Sequence, residues 1–170
     1  MAAPQDLMAR YCDGDATAFR ELYQMLAPRL FGYLVKMTRD PAIAADLLQQ
    51  TFIKLHRARA AYIRDADPIP WIYAIARRVF LDDDRAKRDV VELGESEIRR
   101  EHTADPAAVA TALAALAELP ELQREAVVLI KLEGKSVAEA AEIAGVSEGA
   151  MRVRAHRGYE ALRGRIRPVV

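Results

Sequence analysis

Apolar residues return every three or four positions along most of the chain, and the alternating β-branched pattern of a strand is absent. Phe19, Leu22, Leu26, Leu30, Leu34 and Met37 predict a helix from about Asp15 to Met37, with a short helix over Leu7–Tyr11 before it. Pro28 falls inside the longer run and is expected to kink it, because proline lacks the amide proton that the preceding turn needs. Asp40-Pro41 is a start signal, an N-cap followed by proline at the first helical position. The helix it opens carries Ile43, Leu47, Leu48, Phe52 and Leu55 on one side and Asp46, Gln50, Lys54 and Arg57 on another. An Asp- and Pro-rich loop is expected from about Tyr62 to Pro70. Trp71, Ile72, Ile75 and Val79 then begin a fourth helix, ending in the charged tail Asp82–Arg88.

Residues 89–104 are polar, acidic and weakly patterned, as a linker would be. Asp105-Pro106 repeats the start signal. Four more helices are predicted, at about Pro106–Glu118, Pro120–Leu132, Ser136–Ala144 and Ser147–Arg165, with Gly134 and Gly145 where helix C-terminal glycines belong. The expected fold is therefore all-α: two small helical domains, residues 1–88 and 106–170, joined by a flexible acidic linker over 89–105.

The sharpest local pattern is Ser136–Leu162. Ser136 and Glu139 have capping-box spacing. Gly145-Val146-Ser147 has the form of a three-residue turn: a glycine for positive φ, an apolar plug, and a cap for the next helix. In that helix Met151, Ala155, Tyr159 and Leu162 form one stripe. Arg152, His156, Arg157 and Arg163 lie opposite, with Arg154 nearby. An apolar back and an Arg-rich front suit a recognition helix of the helix-turn-helix type, since arginine pairs with guanine edges or phosphates.

Charge fits this reading only when taken by segment. The whole chain of 170 residues is neutral, with 25 basic and 25 acidic residues. Residues 147–170, however, carry six basic against two acidic residues, while 82–105 carry five against nine and 106–146 three against six. A local basic pole can bind phosphate whatever the total. A single cysteine, Cys12, excludes an internal disulfide and paired-cysteine zinc patterns, and is expected to be a small core residue. His56, His102 and His156 lack metal-ligand spacing, and no phosphate loop or nucleophile elbow is present. Asp82-Asp83-Asp84 reads as a solvated acidic turn, since adjacent helical side chains diverge. Neither a metal nor another cofactor is expected, nor is enzymatic activity. The absence of a signal pattern or a long apolar run points to the cytoplasm, without direct membrane insertion.

Two stretches together resemble one family. Leu119–Arg163 (LPELQREAVVLIKLEGKSVAEAAEIAGVSEGAMRVRAHRGYEALR) is similar to the −35 reading domain, sigma region 4, of the extracytoplasmic-function sigma factors of RNA polymerase. Asp46–Tyr62 (DLLQQTFIKLHRARAAY) with Pro70–Arg88 (PWIYAIARRVFLDDDRAKR) looks like their core-polymerase-binding and −10 reading domain, sigma region 2. The resemblance covers roughly residues 10–165 and implies a factor that directs promoter-specific initiation.

By this resemblance Asp46, Gln49, Gln50 and Lys54 grip the clamp helices of the largest polymerase subunit, and the C-terminal domain packs on the flap of the second-largest. The resemblance assigns the melted −10 element to the loop around Ile63, Arg64 and Asp65, and to Arg77, Arg78, Arg85 and Arg88. It assigns the double-stranded −35 element to Lys131, Arg152, Arg154, His156 and Arg157. Phe52 and Trp71 belong to the core. Arg78 stands where many members have Asn, Ala150 where Thr is common, and Ala140 where Ile is common. The family also implies an anti-sigma factor as regulator, often membrane-anchored. Two other readings compete: a free-standing operator-binding regulator, which leaves Asp46–Arg88 unexplained, and a decoy that only binds an anti-sigma factor, which would not need the Arg-rich helix.

Overall fold

The computed structural model describes residues 2–91 and 106–165, with side chains over 2–88 and 111–165. Within them the chain forms eight α-helices: α1 Pro4–Cys12, α2 Ala16–Thr38, α3 Pro41–Ala58, α4 Pro68–Val91, α5 Pro106–Ala117, α6 Glu121–Val127, α7 Val137–Ala144 and α8 Glu148–Arg165. No strand occurs among the described residues, so the expected all-α class is what the chain adopts. The expected linker lies outside the described residues from position 92 onward, as do Asp105 and the chain beyond Arg165.

The start signals work as their chemistry requires. The Asp15 carboxylate accepts from the amides of Thr17 and Ala18 and opens α2. Asp40 accepts from Ala42 and Ile43 and opens α3 on Pro41. Arg10 hydrogen-bonds Asp15 and holds its carboxyl below the usual carboxylate range. Helix α2 runs through Pro28 as one element to Thr38.

Two boundaries differ from the sequence reading. Helix α4 begins at Pro68 rather than Trp71, because Asp67 caps it by accepting from the Ile69 amide at 3.0 Å. It also continues past Arg88 to Val91. The helix expected over Pro120–Leu132 is α only to Val127, and Val128–Leu132 winds wider as a π-turn closed by the Glu133 amide on the Val128 carbonyl at 2.9 Å. The extra residue in such a turn re-aims the side chains that follow it.

Helices α1–α4 pack around Leu7, Met8, Leu22, Leu26, Leu30, Leu34, Leu47 and Leu55, all 0–1% exposed. Phe19, Tyr23 and Phe52 form an aromatic cluster, with Phe52 and Tyr23 at 4.6 Å between centroids. Cys12 is half-buried and donates to the Arg59 carbonyl, and burial pushes its thiol up. Helices α6–α8 pack around Ala126, Val128, Leu129, Ile143, Met151 and Ala155, and the apolar cluster is continuous with that of α1–α4. Leu116, Leu119 and Val127 make a smaller cluster beneath α5.

Candidate nucleic-acid interface

The helix-turn-helix is built from its caps outward. Ser136 Oγ accepts from the Glu139 amide at 3.0 Å, and the Glu139 carboxylate accepts from the Ser136 amide at 3.2 Å, so the capping box is complete. Gly145 ends α7 at φ 67°, where a β-carbon would be strained, and Ser147 Oγ accepts from the Ala150 amide to start α8. Ser136→Ala is expected to lower unfolding free energy by about 1 kcal/mol, as lost N-caps typically do. Chemical denaturation checks this, and an unchanged midpoint would contradict it.

Met151, Ala155 and Gly158 are the buried face of α8. Arg152, Val153, His156 and Arg157 form its exposed face. Arg152 meets Glu148 at 3.3 Å, but both side chains are more than half exposed, so the pair is weak and easily exchanged for another anion. Arg154 does not join this face. It is half-buried, its Nη1 has no protein partner among the described residues, and its charge bears on Glu125 of α6. Lys131 is exposed on the π-turn, 5.3 Å from the Tyr159 ring centroid.

In the first bundle, Asp46, Gln49, Gln50 and Lys54 lie exposed on the outer side of α3. Lys54 reaches Asp82 of α4 at 3.4 Å. Ile53 is 51% exposed on this side and Tyr23 41% exposed on α2, and both fall outside the apolar stripes read from the sequence.

The 62–67 loop is braced. Tyr62 donates to the Ala66 carbonyl at 2.5 Å, Arg64 pairs with Asp13, and Asp65 takes a positive φ of 70°. The Arg64 guanidinium holds the Asp13 carboxyl below its ordinary range. Ile63 stands at the tip, 76% exposed. Beside the loop, a cleft of about 630 Å³ between α3 and α4 is lined by Lys54, Arg57, Ala58, Trp71, Ala74, Ile75 and Arg78. Trp71 packs against the core as expected but is only partly buried. It packs 5.9 Å from Tyr62 and presents part of its indole to a cleft rimmed by three cations.

The remaining expected residues of α4 separate. Arg78 and Arg85 are exposed. Arg88 meets Asp84 at 2.9 Å and Glu121 at 3.4 Å. Arg77 is turned inward and pairs with Glu125 of α6 at 2.8 Å. Asp82, Asp83 and Asp84 lie within helix α4 rather than in the expected solvated acidic turn, and each diverges to a different cation: Lys54, Lys87 and Arg88. Sequence reasoning missed Glu125 and Glu133. The available signal was an acid directly before the apolar run Ala126–Ile130, in a stretch that is buried from Arg124 to Leu129.

Residues 22–89 match the family description "Sigma-70 region 2", and residues 110–162 match "Sigma-70, region 4". The chain is 42% identical over 166 residues to the RNA polymerase sigma factor CarQ of Myxococcus xanthus, covering 92% of this chain and 93% of that one. It is 36% identical over 165 residues to the extracytoplasmic-function sigma factor SigF of Caulobacter vibrioides, covering 95% and 92%. Its fold is that of the sigma factor RpoE of Bartonella quintana, solved with the anti-sigma factor NepR. There the TM-score is 0.80 at 24% identity, covering 89% of this chain and 98% of that one.

Proposed function

Since the chain belongs to the extracytoplasmic-function sigma factors of the sigma-70 family, we propose that it works as a bipartite promoter reader, with residues 1–88 reading the −10 element and residues 106–170 the −35 element. A sigma factor is not an enzyme; the polymerase performs the chemistry. The observation that carries the proposal is the α8 surface: Arg152, His156 and Arg157 stand exposed on one side of a helix whose other side is sealed by Met151, Ala155 and Gly158. Such a helix can enter a major groove and offer guanidinium groups to base edges and phosphates. Lys131, exposed on the π-turn, is the proposed phosphate contact.

For the −10 element, the cleft at Trp71 supports the reading. An indole with Lys54, Arg57 and Arg78 around it offers stacking and charge to an unpaired base and its phosphates. The braced loop at Ile63, Arg64 and Asp65 joins this reading through Tyr62, whose ring packs 5.9 Å from the Trp71 indole, and Arg85 extends the basic surface along α4. The outer side of α3, with Asp46, Gln49, Gln50 and Lys54, serves the clamp helices of the largest polymerase subunit, and the exposed Ile53 adds an apolar contact. The C-terminal domain takes the flap of the second-largest. The two readers are linked, so each can bind weakly while the pair binds firmly at one spacing.

Among the described residues no helix is long and apolar enough to cross a membrane, and the site of action is the cytoplasm, with the polymerase. An anti-sigma factor is the proposed regulator, supported by the solved complex of the RpoE relative with NepR.

The test is transcription by purified protein plus core polymerase on the fragment upstream of its own gene. A start site that needs both components is the expected result. Failure to form a complex with core polymerase, with DNA binding intact, would favour a free-standing regulator instead. Within this scheme Arg152→Ala is expected to weaken −35 binding by about 1–3 kcal/mol and relax specificity at one position. Gel shifts across −35 variants measure this, and no loss on any sequence would remove Arg152 from the site.

A further inference from the structure

Three consecutive residues at the end of α1 each reach the segment that carries the 62–67 loop. The Tyr11 hydroxyl and His56 Nδ1 share a hydrogen bond of 2.5 Å. Cys12 Sγ donates to the Arg59 carbonyl at 3.3 Å. The two carboxylate oxygens of Asp13 accept from the two terminal nitrogens of Arg64, Nη1 at 3.3 Å. Between these anchors the chain makes a 3-10 turn at Arg59–Ala61 and enters the loop. Asp13 is itself fixed. It follows the last turn of α1, Gly14 beside it takes φ 97°, and Arg10 grips Asp15, the cap of α2.

The loop holds a turn that its own residues do not favour. The Ala66 amide donates to the Ile63 carbonyl at 3.2 Å, which makes Ile63–Ala66 a four-residue turn. Asp65, its third residue, sits at φ 70°, where glycine is the usual occupant. The commoner turn has negative φ at both central positions and accepts most residues. Arg64 is the second residue of this turn, and its anchor on Asp13 lies outside the loop, so the ion pair favours the observed form over the commoner one. The turn in its observed form sets where Ile63 points, and Ile63 is the only large apolar side chain in it. The Asp13 and Arg64 side chains are 60% and 57% exposed, so the pair adds little to the stability of the bundle. A contact that weak suits a choice between two loop forms of similar free energy.

We propose that Asp13 is a positioning residue for −10 reading: through Arg64 it fixes the turn that presents Ile63 to the unpaired bases. The proposal rests on the function given above, which assigns this loop to the −10 element. An apolar side chain at a loop tip packs against unstacked bases, and that contact depends on where the tip points. Asp13 touches no DNA in this scheme. Arg64 shapes the loop and does not take a phosphate, because Asp13 occupies both of its terminal nitrogens. If only the observed turn reads the −10 element, preference for the correct sequence scales with the fraction of molecules that hold that turn.

The test measures the turn and the promoter preference in the same variants of the full chain. The amide scalar coupling of Asp65, read by NMR, reports its φ and so the fraction of molecules in the observed turn. Core RNA polymerase with each variant then transcribes a pool of templates randomised at the −10 and −35 elements. Sequencing the transcripts gives the preference at each position. Asp13→Ala is expected to lower the fraction in the observed turn by about threefold, within what an exposed ion pair can supply. The −10 preference should fall by the same factor, with the −35 preference unchanged. Arg64→Ala should give the same loss, and the double variant no more than either single change, because the two residues act as one unit.

An unchanged Asp65 coupling in Asp13→Ala overturns the brace. A changed coupling with the −10 preference intact overturns the positioning role. Loss of −10 preference in Arg64→Ala but not in Asp13→Ala means that Arg64 meets DNA itself, and overturns that role as well. A parent protein that forms a complex with core polymerase yet shows no preference at any −10 position overturns the function proposed for the loop, and the positioning role with it, while the coupling still reports whether Asp13 holds the turn.

Discussion

Replacing Leu55 by Ala is expected to remove about 2–5 kcal/mol of unfolding free energy, the range for a buried leucine that leaves a cavity. Leu55 is fully buried on α3, which packs between α2 and α4. Its side chain cannot be replaced by repacking of small neighbours, because Leu22, Leu26, Leu30, Leu34 and Leu47 are themselves 0–1% exposed. Urea denaturation should show the midpoint falling with the slope unchanged. Ile53, two residues earlier on the same helix and 51% exposed, is the contrast. Ile53→Ala should stay within about 0.5 kcal/mol of the parent in stability, as surface substitutions do. Equal losses from the two variants would mean that α3 is not oriented as described.

Gly158→Ala is expected to destabilise the protein even though alanine is the better helix former. A β-carbon there would sit 2.6 Å from Val127 Cγ2 and 3.2 Å from the Gln123 carbonyl oxygen. Helix α8 crosses α6 at this point, and neither a β-branched side chain nor a backbone carbonyl moves cheaply. Overpacking of this kind costs about 1–3 kcal/mol, against about 1 kcal/mol gained from helix propensity. The net effect should be a fall of several degrees in Tm. Gly149→Ala on the same helix supplies the control, since its β-carbon would meet only Ser147 Oγ at 4.0 Å. It should be neutral or stabilising. A higher Tm for Gly158→Ala would show that the two helices have room to part.

The local grammar of the chain was legible because its causes are local. Asp40-Pro41 starts a helix by satisfying amides within three residues, and Ser136 with Glu139 does so reciprocally. Gly145 reverses the chain because only a residue without a β-carbon enters the left-handed region without strain. Helix period separates Met151, Ala155 and Tyr159 from Arg152, His156 and Arg157 without reference to any other part of the molecule. The start of α4 was misread for the same reason in reverse: the Pro-rich run from Asp67 looked like loop, whereas Asp67 is its cap and Pro68 its first residue.

What local pattern does not carry is which exposed-looking charges are taken by distant partners. Arg77, Arg78, Arg85 and Arg88 read alike along α4, and helical spacing sets all four within about 100° of one another on one side of the helix. The tertiary structure divides them, because Glu125 and Glu121 arrive from α6, some forty residues away in sequence, and reach Arg77 and Arg88 but not Arg78 or Arg85. Arg154 is likewise half-buried, unlike Arg152 and Arg157 beside it on α8. The sequence by itself determined the helices, their caps, the helix-turn-helix and the family, all set by neighbours within one or two turns or by matched residue order. Only the tertiary structure decided the π-turn that aims Glu133, the cleft that exposes Trp71, and the ion pairs that join α4 to α6, because burial and long-range electrostatics depend on which surfaces fold together.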